Sequence, residues 1–392
     1  MDQNNTMFPF IFNTTPSIVF GAGTTRRLGK VARHKLGQSL LFVTDPGLRK
    51  LGLCNDAVAS LQSEGANVTV FDSVEPDPSR ETLMKAVDLG KEAKVAGVIG
   101  FGGGSSLDVA KLAALLIGSG ENLDEAWGVG QAKGPRLPLV LVPTTAGTGS
   151  EVTPISIITV GQEEKRGVSS PSILPDIAVL DPELTLGLPP SITAATGIDA
   201  MVHAIEAYAS KNPNNNPLSR MLARQALQLL SSNIETVIAD GRNLEARSAM
   251  LLGSMLAGQA FANSPVAAVH ALAYPIGGTF HIPHGLSNAL VLPHVLRFNS
   301  PAAAHLYAEI ATDAFPHLAA REDVEERCAA FIDELQALAQ RVGLQSRLRD
   351  VGIPESALPK LAADAMKQQR LLVNNPRELT EANALAIYQA AW

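Results

Sequence analysis

Four side chains in the second half of this 392-residue chain carry donors that suit a metal ion: Asp199, His203, His270 and His284. Asp199 and His203 stand four residues apart in a stretch with helical period, so one helix face presents a carboxylate and an imidazole together. His270 follows on a later helical stretch, and His284 sits in the turn-like run Pro283-His284-Gly285. One oxygen and three imidazole nitrogens suit a borderline divalent ion, Fe²⁺ or Zn²⁺, and suit Ca²⁺ or Mg²⁺ poorly. Taken alone, His203 reads as a satisfied core histidine; its spacing from Asp199 and the two later histidines make a ligand of it. His34, His294, His305 and His317 have no such context and read as structural or exposed.

A second set of residues suits a nucleotide. Phe101-Gly102-Gly103-Gly104-Ser105-Ser106 follows an apolar run and opens a helical pattern from Leu107 to Leu116. Glycines there let the backbone approach a phosphate, and the helix dipole with its free amides favours the negative charge. An ordinary strand-to-helix turn needs fewer glycines than these three. The loop Pro143-Thr144-Thr145-Ala146-Gly147-Thr148-Gly149-Ser150 also follows an apolar run and supplies hydroxyls. Asp45 ends another such run. A carboxylate at that place accepts hydrogen bonds from a ribose diol and repels a 2′-phosphate, favouring NAD over NADP, although a turn Asp before Pro46-Gly47 explains it equally well. Gly21-Ala22-Gly23-Thr24-Thr25-Arg26 begins like a dinucleotide fingerprint, but Arg26 stands at the third glycine position, and the run reads as structural. A metal beside a nucleotide points to redox chemistry on a small polar molecule.

The elements that must hold these residues are legible in the periodicity. Ser39 to Thr44, Ala66 to Phe71, Ala96 to Phe101 and Leu137 to Val142 are largely apolar runs bounded by Gly, Pro or Asp, alternating with helical patterns such as Cys54 to Glu64 and Ser79 to Ala93. That alternation predicts a Rossmann-like α/β domain, a parallel sheet covered by helices, with ligands beyond the carboxyl ends of the strands. After Leu180-Asp181-Pro182-Glu183 the pattern turns helical: Ala194 to Ala209, Leu218 to Ala239, Leu244 to Ala262, Val324 to Val342 and Glu381 to Trp392. The break Gly187-Leu188-Pro189-Pro190 sets a boundary near residue 187, giving an α/β domain over 1–186 and an all-α metal-binding domain over 187–392, with Ser191 or Thr193 as a candidate helix cap.

Composition narrows the class. A chain with 46% hydrophobic and 18% charged residues buries sizeable cores and is not disordered. A formal charge of −7 without a dense Lys/Arg cluster disfavours nucleic acid. Two cysteines, Cys54 and Cys328, are too few for a disulfide framework or a thiolate metal site. Met1 to Thr6 is polar and does not read as a signal peptide, and the apolar stretch Ala249 to Ala262 is too short to span a bilayer. No membrane partner and a cytoplasmic location are expected by elimination.

The motifs resemble those of the iron-containing (group III) alcohol dehydrogenases, within the dehydroquinate synthase-like fold group. The matching stretches are GGGSSLDVAK at 102–111, PTTAGTGSE at 143–151, ATGIDAMVHAIEAY at 195–208, HALAYPIGGTFHIPHG at 270–285 and Ala289 to Asn299. The likeness runs from Phe12-Asn13 to Asn375-Pro376-Arg377, nearly the whole chain. It implies metal ligation by Asp199, His203, His270 and His284, and NAD(P) contacts from Asp45, Gly102 to Ser105 (Gly103 and Gly104 included), Thr144, Thr145, Thr148 and Lys165. It places Phe261 in the substrate pocket and implies a homodimer or larger assembly. The implied activity is hydride transfer between NAD(H), with NADP the alternative, and a small alcohol or aldehyde at Fe²⁺ or Zn²⁺.

Three residues depart from the family pattern. Tyr274 stands where many members carry a further histidine assigned to proton relay, Asp77 replaces an Asn near the nucleotide, and Ile155 replaces a polar residue near the nicotinamide. His281, three residues before His284, is the nearest replacement relay, with Tyr274 its rival. Rival activities on this fold are a dehydroquinate synthase-like lyase, which needs many basic residues for its substrate, and a maleylacetate reductase-like or hydroxy-acid dehydrogenase. A non-enzymatic nucleotide sensor would leave four converging ligands unexplained.

Overall fold

The apolar runs at 40–43, 98–101 and 139–142 become inner strands because they are buried on both faces, which is why they read as continuous rather than alternating. The computed structural model describes residues 9–161 and 164–392; the N-terminal run Met1 to Thr6 lies outside the described residues. Its strands are β1 (Ser17–Phe20), β2 (Ser39–Val43), β3 (Asn67–Phe71), β4 (Gly97–Gly102), β5 (Gly128–Val129), β6 (Leu139–Pro143), β7 (Ile155–Val160), β8 (Glu164–Ser169) and β9 (Ile177–Leu180). Six of them form one sheet in the order β1-β9-β6-β4-β2-β3, every pair parallel. Parallel strands align their carboxyl ends, so Asp45, Gly102 and Thr144 emerge on one edge, where the Thr144 amide donates to the Gly102 carbonyl at 2.9 Å.

Two strands and a small sheet were not expected. β1 is a four-residue edge strand that is largely exposed, and β9 is four apolar residues ahead of Asp181, too short for a pattern. β8 (EKRGVS) carries three charges and pairs with β7 as an antiparallel hairpin, which β5 joins. Tertiary packing, not propensity, makes these segments strands.

From Pro190 onward the described residues form helices and turns. The long helices are Pro190–Ala209, Pro217–Ala239, Leu244–Asn263, Ala268–Phe280, His284–Ala314, Val324–Arg341 and Glu381–Ala391. On the 324–341 helix Cys328, Phe331, Leu335 and Leu338 are buried on one face, the larger ones contributing roughly 1.5–3 kcal/mol each. The first of these helices begins at Pro190 with no side-chain cap, so neither Ser191 nor Thr193 caps it. Proline at the first position is already set for helix and has no amide to satisfy, and the Thr193 hydroxyl instead accepts from Arg247 at 2.8 Å. His284 is likewise not in a turn: it is the first residue of the 31-residue 284–314 helix, entered from Pro283.

Candidate active site

Asp199 and His203 share the inward face of the 190–209 helix and are 2% and 4% exposed. His270 lies in the first turn of the 268–280 helix, and His284 opens the 284–314 helix. Close approach brings His284 in: a Cβ at Gly285 would lie 2.3 Å from the Ala195 carbonyl, so only glycine lets the two helices meet there. One ligand atom from each of the four residues lies within 4.8 Å of the others. The Asp199 carboxylate is 4.0 Å from His270 Nε2 and 3.7 Å from His284 Nε2. Bonds of about 2.1 Å to one ion put tetrahedral donors roughly 3.4 Å apart, so the set needs only a small contraction.

Protonation favours the same reading. His203 Nδ1 lies 3.2 Å from the Gly147 carbonyl and His270 Nδ1 lies 2.6 Å from Glu206 Oε2. Both acceptors call for a proton on Nδ1, which leaves Nε2 as the nitrogen able to ligate, and on His270 it lies 4.0 Å from Asp199. Burial pushes His203 down to about 3, so it is neutral at physiological pH. Among these lone pairs sits the Asn288 amide: its Nδ2 donates to Asp199 Oδ1 at 2.6 Å and lies 3.3 Å from Nε2 of both His270 and His284. Asn288 Oδ1 is buried with no hydrogen-bond partner. The amide hydrogens stand where a cation's positive charge would, and the residues present fit a divalent metal. Sequence reasoning passed over Glu206 and Asn288. Glu206 was signalled by its spacing, seven residues after Asp199 and three after His203; Asn288, four after His284, lies one helical turn on.

These side chains floor a cleft of about 560 Å³ between the sheet and the helices. From the sheet side Asp77, Gly104, Ser105, Thr148 and Lys165 line it, and from the helices His203, Phe261, His270, Tyr274, His284 and Arg370. The 104–119 helix has Gly103 at its start and no side-chain cap, so its first-turn amides stay open to the cleft. Gly102 has φ +151° and a Cβ there would meet Ser106 Oγ at 2.7 Å, which is why glycine stands at that turn. Gly102, Gly103, Thr144 and Thr145 back this wall without lining the cleft. By contrast, the Gly21-Ala22-Gly23 run has its amides occupied: Gly23 and Thr25 both donate to Asp181 at 2.9 Å. Asp45 Oδ1 accepts from the Leu48 amide at 2.9 Å as a helix cap. Asp77 pairs with Lys165 across the cleft mouth. Ile155 opens β7, and its carbonyl accepts from Lys111.

Phe261 stacks on His203 with ring centroids 4.4 Å apart, and both line the cleft. Tyr274 faces His284, centroids 5.8 Å apart, and the Arg370 guanidinium lies over the Tyr274 ring at 5.8 Å. His284 keeps 42% of its side chain accessible from the cleft, the open side of the donor set. His281 is exposed at the end of the 268–280 helix in a left-handed conformation and does not line the cleft.

Comparison with known proteins locates the chain. Residues 15–182 match the family pattern described as iron-containing alcohol dehydrogenase, and residues 193–392 match the C-terminal pattern of the Fe-containing alcohol dehydrogenase family. Long-chain-alcohol dehydrogenase 1 of Geobacillus thermodenitrificans is 44% identical over 94% of this chain and 91% of its own length. A solved 1,3-propanediol oxidoreductase superposes with a TM-score of 0.94 at 34% identity, covering 98% of this chain and 100% of that one. A sulfoacetaldehyde reductase from Bifidobacterium kashiwanohense, solved with NAD⁺, superposes with a TM-score of 0.85 at 29% identity over 98% of each chain.

Proposed function

From the premise that this chain belongs to the iron-containing alcohol dehydrogenase family, we propose which of its residues carry the activity. The chain is an oxidoreductase interconverting a small alcohol and its aldehyde with NAD(H) and a divalent metal, Fe²⁺ by family. Asp199, His203, His270 and His284 hold the metal. Gly104, Ser105, Thr148 and the open amides of the 104–119 helix cradle the cofactor phosphates, backed by Gly102, Gly103, Thr144 and Thr145. Lys165 and Asp77 flank them. The Asp45 carboxylate spends one oxygen on a helix cap and does not line the cleft itself; its other oxygen would accept from a ribose diol reaching past the cleft and would disfavour NADP. When bound, the metal supplies Lewis acidity toward the substrate oxygen and the nicotinamide supplies the hydride-accepting ring.

The protein's own work is alignment and exclusion of water. Phe261 and the apolar wall formed by Val266, Ala273 and Ile282 hold the substrate's carbon chain against the cofactor. Tyr274, whose ring faces His284 on the cleft wall, relays the hydroxyl proton: its Oη accepts that proton as it releases its own to solvent. His281 points elsewhere and is spared: Tyr274→Phe changes the pH–rate profile, whereas His281→Ala leaves it as in the parent. The converged donor set opposite an uncapped glycine-led helix is the observation that carries this reading. Its test is metal analysis of the purified protein, then NADH oxidation with a panel of aldehydes after Fe²⁺ or Zn²⁺ reconstitution. A protein that retains no metal and oxidises NADH with none of them overturns it.

One observation favours a second substrate class. Arg370 at the cleft lip has no carboxylate partner among the described residues, and its guanidinium donates to Tyr274 Oη at 3.5 Å. A substrate with an anionic tail, such as a hydroxy acid or a sulfonated aldehyde, would meet it there. Arg370→Ala then raises KM for carboxylated aldehydes and not for neutral ones of equal length. We also divide the chain near residue 187, between the end of β9 and the helix at Pro190. The exposed Ile18 and Phe20 on the edge strand β1 support a homodimer or larger assembly, tested by light scattering. Two buried free cysteines support a reducing, cytoplasmic setting, and no described helix is long and apolar enough to cross a membrane.

A further inference from the structure

Glu206 is a buried acid that the metal reading leaves without a task. It is 5% exposed on the 190–209 helix, on the face that carries Asp199 and His203. Both of its oxygens are engaged: Oε2 with His270 Nδ1 at 2.6 Å, and Oε1 with the Val269 amide at 2.7 Å. Val269 and His270 lie in the first turn of the 268–280 helix, whose start at Ala267 has no side-chain cap of its own. One carboxylate from a neighbouring helix therefore closes that helix end and grips the imidazole beside it.

We infer that Glu206 is a positioning residue for the metal centre: it holds His270 as the Nδ1–H tautomer with Nε2 aimed at Asp199, and it supplies the second negative charge that balances a buried dication. The choice of residue follows from its partners. Val269 N–H and His270 Nδ1–H are both donors, so the side chain between them must offer two acceptors and no hydrogen. A glutamine would set its own NH₂ against one of them. Charge leads to the same residue. Asp199 alone leaves a divalent ion half-neutralised in a buried site, and Asp199 with Glu206 closes the balance. The three imidazoles are thereby unequal: His203 leans on a neutral carbonyl at 3.2 Å, whereas His270 leans on a carboxylate at 2.6 Å and becomes the stronger electron donor.

The inference rests on the proposed metal site, and the test separates the two. The full-length chain is stripped with a chelator and titrated with Zn²⁺ against a chromophoric competitor, for wild type and Glu206→Gln. The expected result is that Glu206→Gln binds Zn²⁺ about 10–100-fold more weakly. Glu206→Asp, which keeps two acceptors and the charge on a shorter arm, recovers part of the loss. A purely structural role for Glu206 would lower thermal stability while leaving Zn²⁺ affinity within about twofold of wild type, and that outcome overturns the inference. Wild type that binds no Zn²⁺ overturns the metal site itself, and the inference with it. Should Glu206→Gln not fold, ¹⁵N NMR of the metal-free wild type decides: His270 protonated on Nδ1 and bare on Nε2 supports the inference, and the reverse tautomer overturns it.

Discussion

Each half of the molecule buries a cluster of ionisable side chains, and the two clusters differ in their hydrogen-bond accounting. In the sheet half, Lys111 is fully buried, and its ammonium meets Ser150 Oγ at 2.8 Å, Thr153 Oγ1 at 3.2 Å and the Ile155 carbonyl at 2.7 Å, three acceptors for three hydrogens. Asp108 nearby accepts from Ser150 Oγ at 2.6 Å and from the Ile157 amide at 2.8 Å. In the helical half, Asp199, His203, His270 and His284 turn their lone pairs on one another, with only the Asn288 amide between them. The first network is closed and ties the 104–119 helix to β7. The second is open, and a buried open network of acceptors is what a cation completes. Burial alone does not distinguish scaffold from site; several unspent lone pairs converging on one point do.

The largest expected effect breaks the open cluster. Asp199→Ala should abolish metal retention and lower turnover about 10³-fold or more, the scale of several kcal/mol of Lewis-acid stabilisation, with NADH binding still measurable by fluorescence. Turnover at the parent rate in the chelated variant would remove the contrast. Breaking the closed cluster should show in stability instead. Lys111→Met leaves Asp108 and three acceptors without their cation and should cost on the order of 3–5 kcal/mol in chemical denaturation, with metal content per folded molecule unchanged. Loss of metal without loss of stability would reverse the assignment.

A smaller effect lies at the edge of the closed cluster. Burial pushes the Glu151 carboxyl up to about 7, and its Oε1 has no partner. An acid raised in the folded state favours folding below its unfolded value near 4.5, and that advantage drains away as pH rises through 7. Glu151→Gln should therefore be more stable than the parent above pH 7, by at most roughly 3 kcal/mol, and lose the gain near pH 4. Thermal melts across that range check the sign. The smallest effect concerns a pair between the two cases. Asp77 and Lys165 close on each other at the cleft mouth, with Asp77 63% exposed. Such an exposed pair is worth at most about 1 kcal/mol, so Asp77→Asn should free Lys165 for cofactor phosphate and lower KM for NADH by no more than about fivefold. A raised KM would make Asp77 a cofactor ligand rather than a competitor.

The strand core and the long helices were legible because their patterns are local. Continuous apolar runs at 40–43 and 139–142 and the three-to-four spacing from Cys328 to Leu338 need no distant partner to be recognised. The short strand β9 and the charged β8 were not, since each is a strand only through its neighbours. Among site residues, Asp199 with His203 and the run Gly102 to Gly104 stand out by type and spacing. Glu206 was missed although it belongs to the same helical face as Asp199 and His203. The seven-residue spacing places that acid on the inward face, but its imidazole partner lies 64 residues away and is settled only by packing.

By itself the sequence determined the donor types, the helical face that pairs Asp199 with His203, and the glycines that leave a helix end uncapped. Those properties follow from side-chain chemistry and from periods of two and 3.6 residues. Only the tertiary structure decided which lone pairs are spent. Glu206 reaches His270 across 64 residues of chain, Gly147 reaches His203 across 56, and Ile155 reaches Lys111 across 44. Hydrogen bonds at such separations depend on how helices and loops pack. That packing makes one buried cluster a closed scaffold and the other an open site.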